Sequence, residues 1–159
     1  MTTVTASALA GQPFLHGMPE EHLEFLAGQA TLLTVPARHR FFDVGETARH
    51  FLLIRAGQVA LDLVAPGDGR IIVEAIGRGD VVGVSWFFPP YQWQFGAVAL
   101  QPTEVFELDA LAVRQRCDED PGFGYQFTGR LITVVARRLQ GTRRRMMQAC
   151  GERAALEGG

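Results

Sequence analysis

Apolar and charged positions near the N-terminus predict one short amphipathic helix. In the stretch GMPEEHLEFLAGQA, His22 and Leu26 follow helical spacing. Pro19 suits the first turn of a helix, and Gly28 suits its end. The preceding residues 1–17 are small, polar and contain glycine, so we expect a loose arm or a short helix there.

The apolar pattern changes to a strand-like period in the middle of the chain. The short runs TLLTV, HFLLIR, GQVALDLV and RIIVEAIG are separated by turn residues. In the third run, Val59, Leu61 and Leu63 alternate with the residues between them, as in a half-buried strand. The segment APGDGR predicts the turn of a β-hairpin. With the runs GAVAL and EVFELD, this pattern predicts a mainly β protein, an antiparallel β-roll of the jelly-roll or double-stranded β-helix type.

The last third of the chain returns to a helical period. A short helix is predicted in LDALAVRQRCDED, and Asp120 followed by Pro121 predicts the start of a long C-terminal helix. A mostly apolar heptad stripe runs along this helix, and we call it the seam: Tyr125, Thr128, Ile132, Val135, Leu139, Thr142, Met146 and Ala149. Leaving such a stripe in water costs ~25 cal/mol per Å² of apolar area, so we expect a homodimer that pairs this helix in a coiled coil. Beside the seam, Leu131 and Val134 are expected to pack back on the roll.

These patterns divide the chain into four predicted regions. They are an N-terminal arm (1–17), a β-roll domain with flanking helices (18–118), a long dimerisation helix (119–150) and a flexible tail (151–159).

Composition and charge narrow the classes of function. Hydrophobic residues make up 47% of the chain and charged residues 20%, which is ordinary for one globular domain. A net charge of -2 argues against the whole chain being a binder of polyanions. Cys117 and Cys150 are far apart and the four histidines share no ligand spacing, so no metal site is predicted. Without a basic leader or an apolar run of ~18 residues, we expect a cytoplasmic protein that does not associate with a membrane.

The uncharged stretch GVSWFFPPYQWQFGAVAL, from Gly83 to Leu100, contains both tryptophans of the chain. Its aromatic side chains have three interpretations at this stage. They fill a hydrophobic core, present a protein-binding face, or line a pocket for a flat or apolar ligand.

Several motifs, in their order along the chain, resemble the cyclic nucleotide-binding domain of the catabolite-activator and FNR regulator superfamily. In FFDVGETARHFLLIRAGQVALDLV, the shared pattern is carried by Gly45, Glu46, Ala48, Gly57 and Val59. IGRGDVVG (residues 76–83) resembles the turn before that family's phosphate-binding cassette, and ARRLQGT (residues 136–142) resembles its dimerisation helix. The resemblance covers about residues 20–150. It implies the cyclic-nucleotide-binding fold, a β-roll followed by a long C-terminal helix, as a stand-alone domain.

At the cassette, the sequence differs from what the resemblance implies. The family has a Gly-Glu pair, whose Glu meets the ribose hydroxyl, and a later Arg, which neutralises the cyclic phosphate. Here Gly83 matches the glycine, but Val84 stands at the glutamate and Trp93 at the arginine. Because a buried phosphate without a cation costs several kcal/mol, we do not expect cAMP or cGMP to bind in the usual mode.

An uncharged or apolar ligand, or no ligand, fits this cassette better. The resemblance assigns the candidate pocket to Gly83, Val84, Ser85, Trp86, Trp93, Gln94, Phe95 and Thr142. Thr142 falls where the family's long helix reaches the base of the nucleotide, although a polar seam residue that sets register is an alternative reading. The cofactor is unknown; a cyclic nucleotide is disfavoured, and haem, which some members of the superfamily bind, is not favoured.

Arginines at positions 137, 138 and 143–145 make the late part of the long helix basic. The family reads DNA with a helix-turn-helix placed after this helix, and the sequence ends at Gly159, so we expect no DNA binding by this chain alone. A solvated flank, or a basic face for an acidic partner, is the expected role of these arginines.

The sequence leads to two hypotheses of function, neither of them enzymatic, because no catalytic arrangement of residues is found. The first is a regulatory or sensor module of the cyclic-nucleotide-binding type with an altered phosphate cassette. The second is a degenerate domain that acts as a dimeric protein–protein adaptor or assembly subunit. The partners expected are a second copy of the chain and a small-molecule ligand or another protein.

Overall fold

The computed structural model describes residues 3–158, and its centre consists of two antiparallel sheets of four strands each. The strands are β1 (Ala30–Val35), β2 (Arg40–Phe42), β3 (His50–Ala56), β4 (Gln58–Ala65), β5 (Gly69–Gly77), β6 (Val81–Val82), β7 (Gly96–Ala99) and β8 (Thr103–Asp109). One sheet has the order β1-β8-β3-β6 and the other β2-β7-β4-β5. The predicted mainly β, antiparallel roll is confirmed.

Helices lie at both ends of the chain. They are α1 (Ala6–Ala10), α2 (Glu20–Gly28), α3 (Ala110–Glu119) and α4 (Pro121–Glu157). Short 3-10 helices occupy Pro13–Leu15 and Ser85–Phe87. Within residues 3–158, no helix has the length and apolar character needed to cross a membrane.

A single hydrophobic core joins the roll to the helices. Phe51 and Ile54 of β3 are completely buried, as are Leu26 of α2 and Phe127 of α4. Each buried side chain of this size contributes roughly 1.5–3 kcal/mol, so the helices are held by the same core that holds the sheets.

Strand β4 is buried differently from its predicted alternation. All four residues from Val59 to Asp62 are buried, whereas Leu63 and Val64 are exposed. Strand β7 pairs with β4 only along residues 59–62. Beyond that point β4 and β5 continue as a two-stranded hairpin, and this accounts for the loss of cover at Leu63.

Residues 3–17 are more ordered than a loose arm. The helix α1 is capped by Thr5, whose hydroxyl accepts a hydrogen bond from the amide of Ala8 at 3.1 Å. Leu9, Phe14 and Leu15 are buried in the core. The loose-arm alternative is therefore wrong for these residues, since three apolar side chains anchor them; residues 1 and 2 lie outside the described part of the chain.

The long helix begins where the sequence predicts and ends later. The Asp120 carboxylate accepts from the amide of Phe123 at 3.1 Å, and Pro121 occupies the first turn. The helix continues to Glu157, so residues 151–157, predicted as a flexible tail, are helical. The final segment AALE consists of residues that favour helix, which explains the extension past Gly151.

Candidate functional site

The segment between β6 and β7, residues 83–95, is called here the cassette. It contains the 3-10 helix Ser85–Phe87 and a cis peptide bond between Pro89 and Pro90. Gly83 and Tyr91 both have positive φ angles, 74° and 56°. These turns fold the uncharged aromatic stretch back onto the roll.

Trp86 lies inside the core, beneath helix α4. Its side chain has no exposed surface and stacks on Phe51, with ring centroids 3.9 Å apart and an interplanar angle of 9°. The ring of Phe127 from α4 meets it edge-on at 5.7 Å. Trp86 therefore joins the cassette to both β3 and the long helix.

Trp93 is also buried, at 2% exposure, and stacks on Phe42 of β2 with centroids 3.8 Å apart. Its backbone is held as firmly as its ring. The amide of Trp93 donates to the carbonyl of Glu46 at 2.9 Å, and the amide of Gly45 donates to the carbonyl of Trp93 at 2.8 Å. The Gly45-Glu46 pair noted in the sequence thus fixes the second tryptophan by main-chain hydrogen bonds.

The space beside Gly83 is occupied by aromatic rings. A Cβ atom at this position would lie 2.6 Å from Trp93 and 3.2 Å from Phe95, closer than side chains normally approach. The positive φ of Gly83 adds a second reason for glycine. Three of the predicted pocket residues, Gly83, Trp93 and Phe95, are therefore in direct contact.

Arg114 of α3 holds the outer side of the cassette. Its Nη1 donates to the carbonyl of Trp86 at 2.6 Å, and its guanidinium lies 4.0 Å from the centroid of the Tyr91 ring. Both contacts engage the guanidinium itself. The sequence alone does not bring Arg114 to the cassette, because these contacts join residues more than twenty positions apart.

The remaining predicted pocket residues are less central. Val84 precedes the 3-10 helix, which starts at Ser85. Gln94 is exposed, and its side-chain amide donates to the carbonyl of Gln92 at 3.2 Å. Thr142 is exposed on α4 and donates to the carbonyl of Arg138 at 3.0 Å, so its hydroxyl is used within its own helix.

Comparison with known proteins decides the family. The profile of the cyclic nucleotide-binding domain matches residues 32–120, more than half of the chain. This chain belongs to the cyclic nucleotide-binding domain family. A search of curated proteins finds no match.

Solved structures of this family share the fold of the chain at low sequence identity. A candidate cyclic nucleotide-binding protein from Geobacter metallireducens GS-15 has a TM-score of 0.78 and 20% identity, over 86% of this chain and 98% of that one. A cyclic nucleotide-binding domain from Methylobacillus flagellatus KT has a TM-score of 0.74 and 21% identity, over 82% and 73%. The catabolite activator protein of Thermus thermophilus has a TM-score of 0.68 and 20% identity, over 85% of this chain and 62% of its own length.

Within residues 3–158, the cassette has no charged side chain of its own, and no metal-binding cluster lies beside it. Within residues 3–158, no three His, Cys, Asp or Glu side chains are grouped to hold a metal ion. Residues 83–95 themselves carry no charged side chain. The two tryptophans occupy the hydrophobic core, which favours the first of the three interpretations of the aromatic stretch, while Phe88 is 51% exposed.

Proposed function

We propose that this chain is a non-enzymatic regulatory module whose cassette does not bind cAMP in the usual mode. The observation that carries the proposal is the position of Trp93. The Trp93 ring packs against Gly83. The family resemblance would instead require an arginine at position 93 and a cyclic phosphate in the space beside it. A phosphate there would lose its hydration and gain no cation from residues 83–95, and this makes binding unfavourable by several kcal/mol.

Arg114, which approaches the cassette from α3, does not offer an easy replacement cation. Its guanidinium already bonds the carbonyl of Trp86 and stacks on Tyr91. Moving the guanidinium toward a ligand would break both contacts. We therefore infer that Arg114 stabilises the conformation of the cassette.

Isothermal titration tests this proposal directly. We expect no binding of cAMP or cGMP to the wild-type chain at near-millimolar concentration. The double variant Val84→Glu/Trp93→Arg restores both family charges and is expected to gain cAMP binding, with Val84→Glu alone as the control. Circular dichroism of each variant verifies that the roll is still folded. One-to-one binding of cAMP to the wild type at micromolar affinity would overturn the proposal.

The proposal includes a homodimer formed through α4. In the single chain, the seam side chains Ile132, Leu139 and Met146 are 62%, 49% and 63% exposed, while Leu131 is buried and Val134 half-buried against the roll. One face of the helix thus packs on its own roll and another has no cover among residues 3–158. Pairing with a second copy of α4 would remove the apolar stripe from water.

A second candidate function is a dimeric adaptor or assembly subunit. It is favoured by the apolar tip of the β4–β5 hairpin, where Val64, Ile72 and Val73 are 63%, 58% and 44% exposed. Exposed apolar side chains grouped on one hairpin are typical of protein-binding surfaces. Native mass spectrometry of protein from its own host, with Ile72→Asp and the exposed control Arg55→Asp, tests the adaptor role. Loss of one defined partner in Ile72→Asp alone supports it, and equal recovery in both contradicts it.

Cytoplasmic localisation and the lack of DNA binding by this chain stay predictions from the sequence.

A further inference from the structure

A large cavity lies away from the cassette, between α4 and the turn that joins β5 to β6. Its volume is about 530 Å³, within the range of small-molecule sites. Pro13 and Phe14 line one side, the end of β5 and the following turn line another, and α4 closes the third. No residue of the cassette, 83–95, belongs to its lining.

The charges around this cavity are strongly unbalanced. Five guanidiniums line it against two carboxylates, those of Glu74 and Asp80, and this leaves an excess of three positive charges. The arginines are Arg78, Arg130, Arg137, Arg138 and Arg145. Within residues 3–158, none of the five forms an ion pair with a carboxylate at 4.0 Å or less.

Two of these arginines are half-buried and bonded only to neutral groups. Arg130 donates to the carbonyl of His16 at 2.7 Å and to the side chain of Gln126, and Arg138 donates to the carbonyl of Val81. Burial lowers the pKa of both guanidiniums, and for Arg138 the nearby Glu74 and Asp80 oppose that change only in part. Both side chains stay charged at neutral pH, so each carries a desolvation cost that an anion would relieve.

Arginines elsewhere on α4 provide a contrast. Arg143 and Arg144 are exposed and do not line the cavity. A solvated surface needs no partner for such groups, whereas the five cavity arginines converge on one space. The difference argues that the cavity arginines form a site and are more than a solvated flank.

The cavity and the seam use different faces of α4. The lining positions on the helix are 130, 133, 134, 137, 138, 141 and 145, and none of them is a seam position. At 100° per residue, the centres of the two sets lie roughly 140° apart around the helix. Pairing of α4 through the seam would therefore leave the cavity accessible.

We propose that this cavity binds a small molecule carrying a diphosphate or two phosphate groups. The planar guanidinium matches phosphate oxygens in bidentate geometry, and three excess positive charges suit a multiply charged anion. The exposed Arg78 and Arg137 supply free donors, and Arg145 lines the same cavity while it also donates to the Thr142 hydroxyl at 3.2 Å. Arg130 and Arg138 add positive potential from the wall. Because Arg78 belongs to the β5–β6 turn and Arg137 to α4, a bound phosphate group would link the roll to the long helix.

Isothermal titration with inorganic pyrophosphate, and separately with ADP, tests this site. We expect one-to-one binding of at least one probe that weakens as sodium chloride is raised. Arg137→Gln should weaken binding about tenfold, the effect of losing one charge-assisted contact. Arg144→Gln, an exposed arginine of the same helix outside the lining, should leave the affinity within about twofold.

A steric pair of variants separates the cavity from general electrostatic attraction. Gly141 lines the cavity, and a Cβ there would meet only the Arg145 side chain, at 3.8 Å. Gly141→Leu should therefore keep the helix and fill the site, reducing probe binding at least about tenfold. Gly151→Leu, at an open helical position outside the cavity, should leave binding unchanged.

Three results would overturn the proposal. They are no binding of either probe at about 5 mM, equal weakening by Arg137→Gln and Arg144→Gln, or unchanged binding in Gly141→Leu. None of these outcomes depends on whether cAMP binds at the cassette, since the two sites share no residue.

Discussion

The ring of Trp93 lies so close to Gly83 that a Cβ atom on the glycine would stand 2.6 Å from its Cζ3 atom. On its other side, the indole stacks on Phe42 at 3.8 Å. The glycine that resembles the start of the family's cassette thus serves here as a contact surface for an aromatic ring. A small residue at position 83 and a large one at position 93 form a matched pair.

Gly83→Ala should destabilise the fold because alanine meets two obstacles. The φ of 74° is unfavourable for alanine, and its Cβ would press on Trp93. We expect a loss of about 2–4 kcal/mol in the free energy of unfolding. Urea denaturation measures it, with Gly151→Ala as the control, since that open helical site should change stability by ~1 kcal/mol at most and in the stabilising direction. Equal stabilities of Gly83→Ala and wild type would contradict the crowding described here.

Arg114→Ala should loosen the cassette more than the rest of the roll. The change removes the bond to the Trp86 carbonyl and the stacking on Tyr91, together worth about 2 kcal/mol. We expect faster amide hydrogen exchange across residues 85–91. Arg116→Ala is the matched control on the same helix, because Arg116 stacks on Phe25 instead. Unchanged exchange in Arg114→Ala would show that the guanidinium does not hold the cassette.

Leu139→Glu should dissociate the proposed dimer. Leu139 lies on the seam and is 49% exposed in the single chain. A charge at this position should therefore destabilise the pairing of two α4 helices more than it destabilises the folded single chain. Gln140→Glu introduces the same residue at the adjacent exposed position, off the seam, and should leave the mass unchanged. Light scattering after size exclusion compares the two. A wild-type chain that elutes as a monomer at micromolar concentration would remove the basis for this prediction.

Cys117 should react slowly with alkylating agents at neutral pH. Burial, with a smaller contribution from Asp118, raises the pKa of its thiol from 9.0 to about 11. The unfolded chain releases this proton at lower pH than the folded chain, so stability should fall as pH rises from about 9 to about 11.

The two-cysteine composition makes this test simple. In Cys150→Ser, Cys117 is the only thiol, and its labelling by iodoacetamide should accelerate up to about pH 11. The variant without either cysteine should lack the corresponding loss of stability, which isolates the contribution of the thiol. Rapid labelling of Cys117 at pH 8 would be inconsistent with the buried thiol.

The sequence by itself determined the elements whose signals are local. Asp120 and Pro121 mark the start of α4, because capping needs only the residues of one turn. The alternating apolar runs predicted the strands of the roll, and the period of α4 placed Leu131 and Val134 toward it. The end of α4 was less predictable, since a glycine at position 151 weakens a helix without stopping it.

Only the tertiary structure decided where the aromatic stretch and the arginines lie and which residues they contact. The pattern of residues 83–95 leaves core, pocket and interface open, and the core interpretation is favoured by Phe42 and Phe51, which supply the stacking partners from distant strands. Likewise, Arg130 reaches the carbonyl of His16, 114 positions earlier in the chain. A guanidinium's environment depends on which segments fold against it, and sequence spacing carries no information about contacts made at such separation.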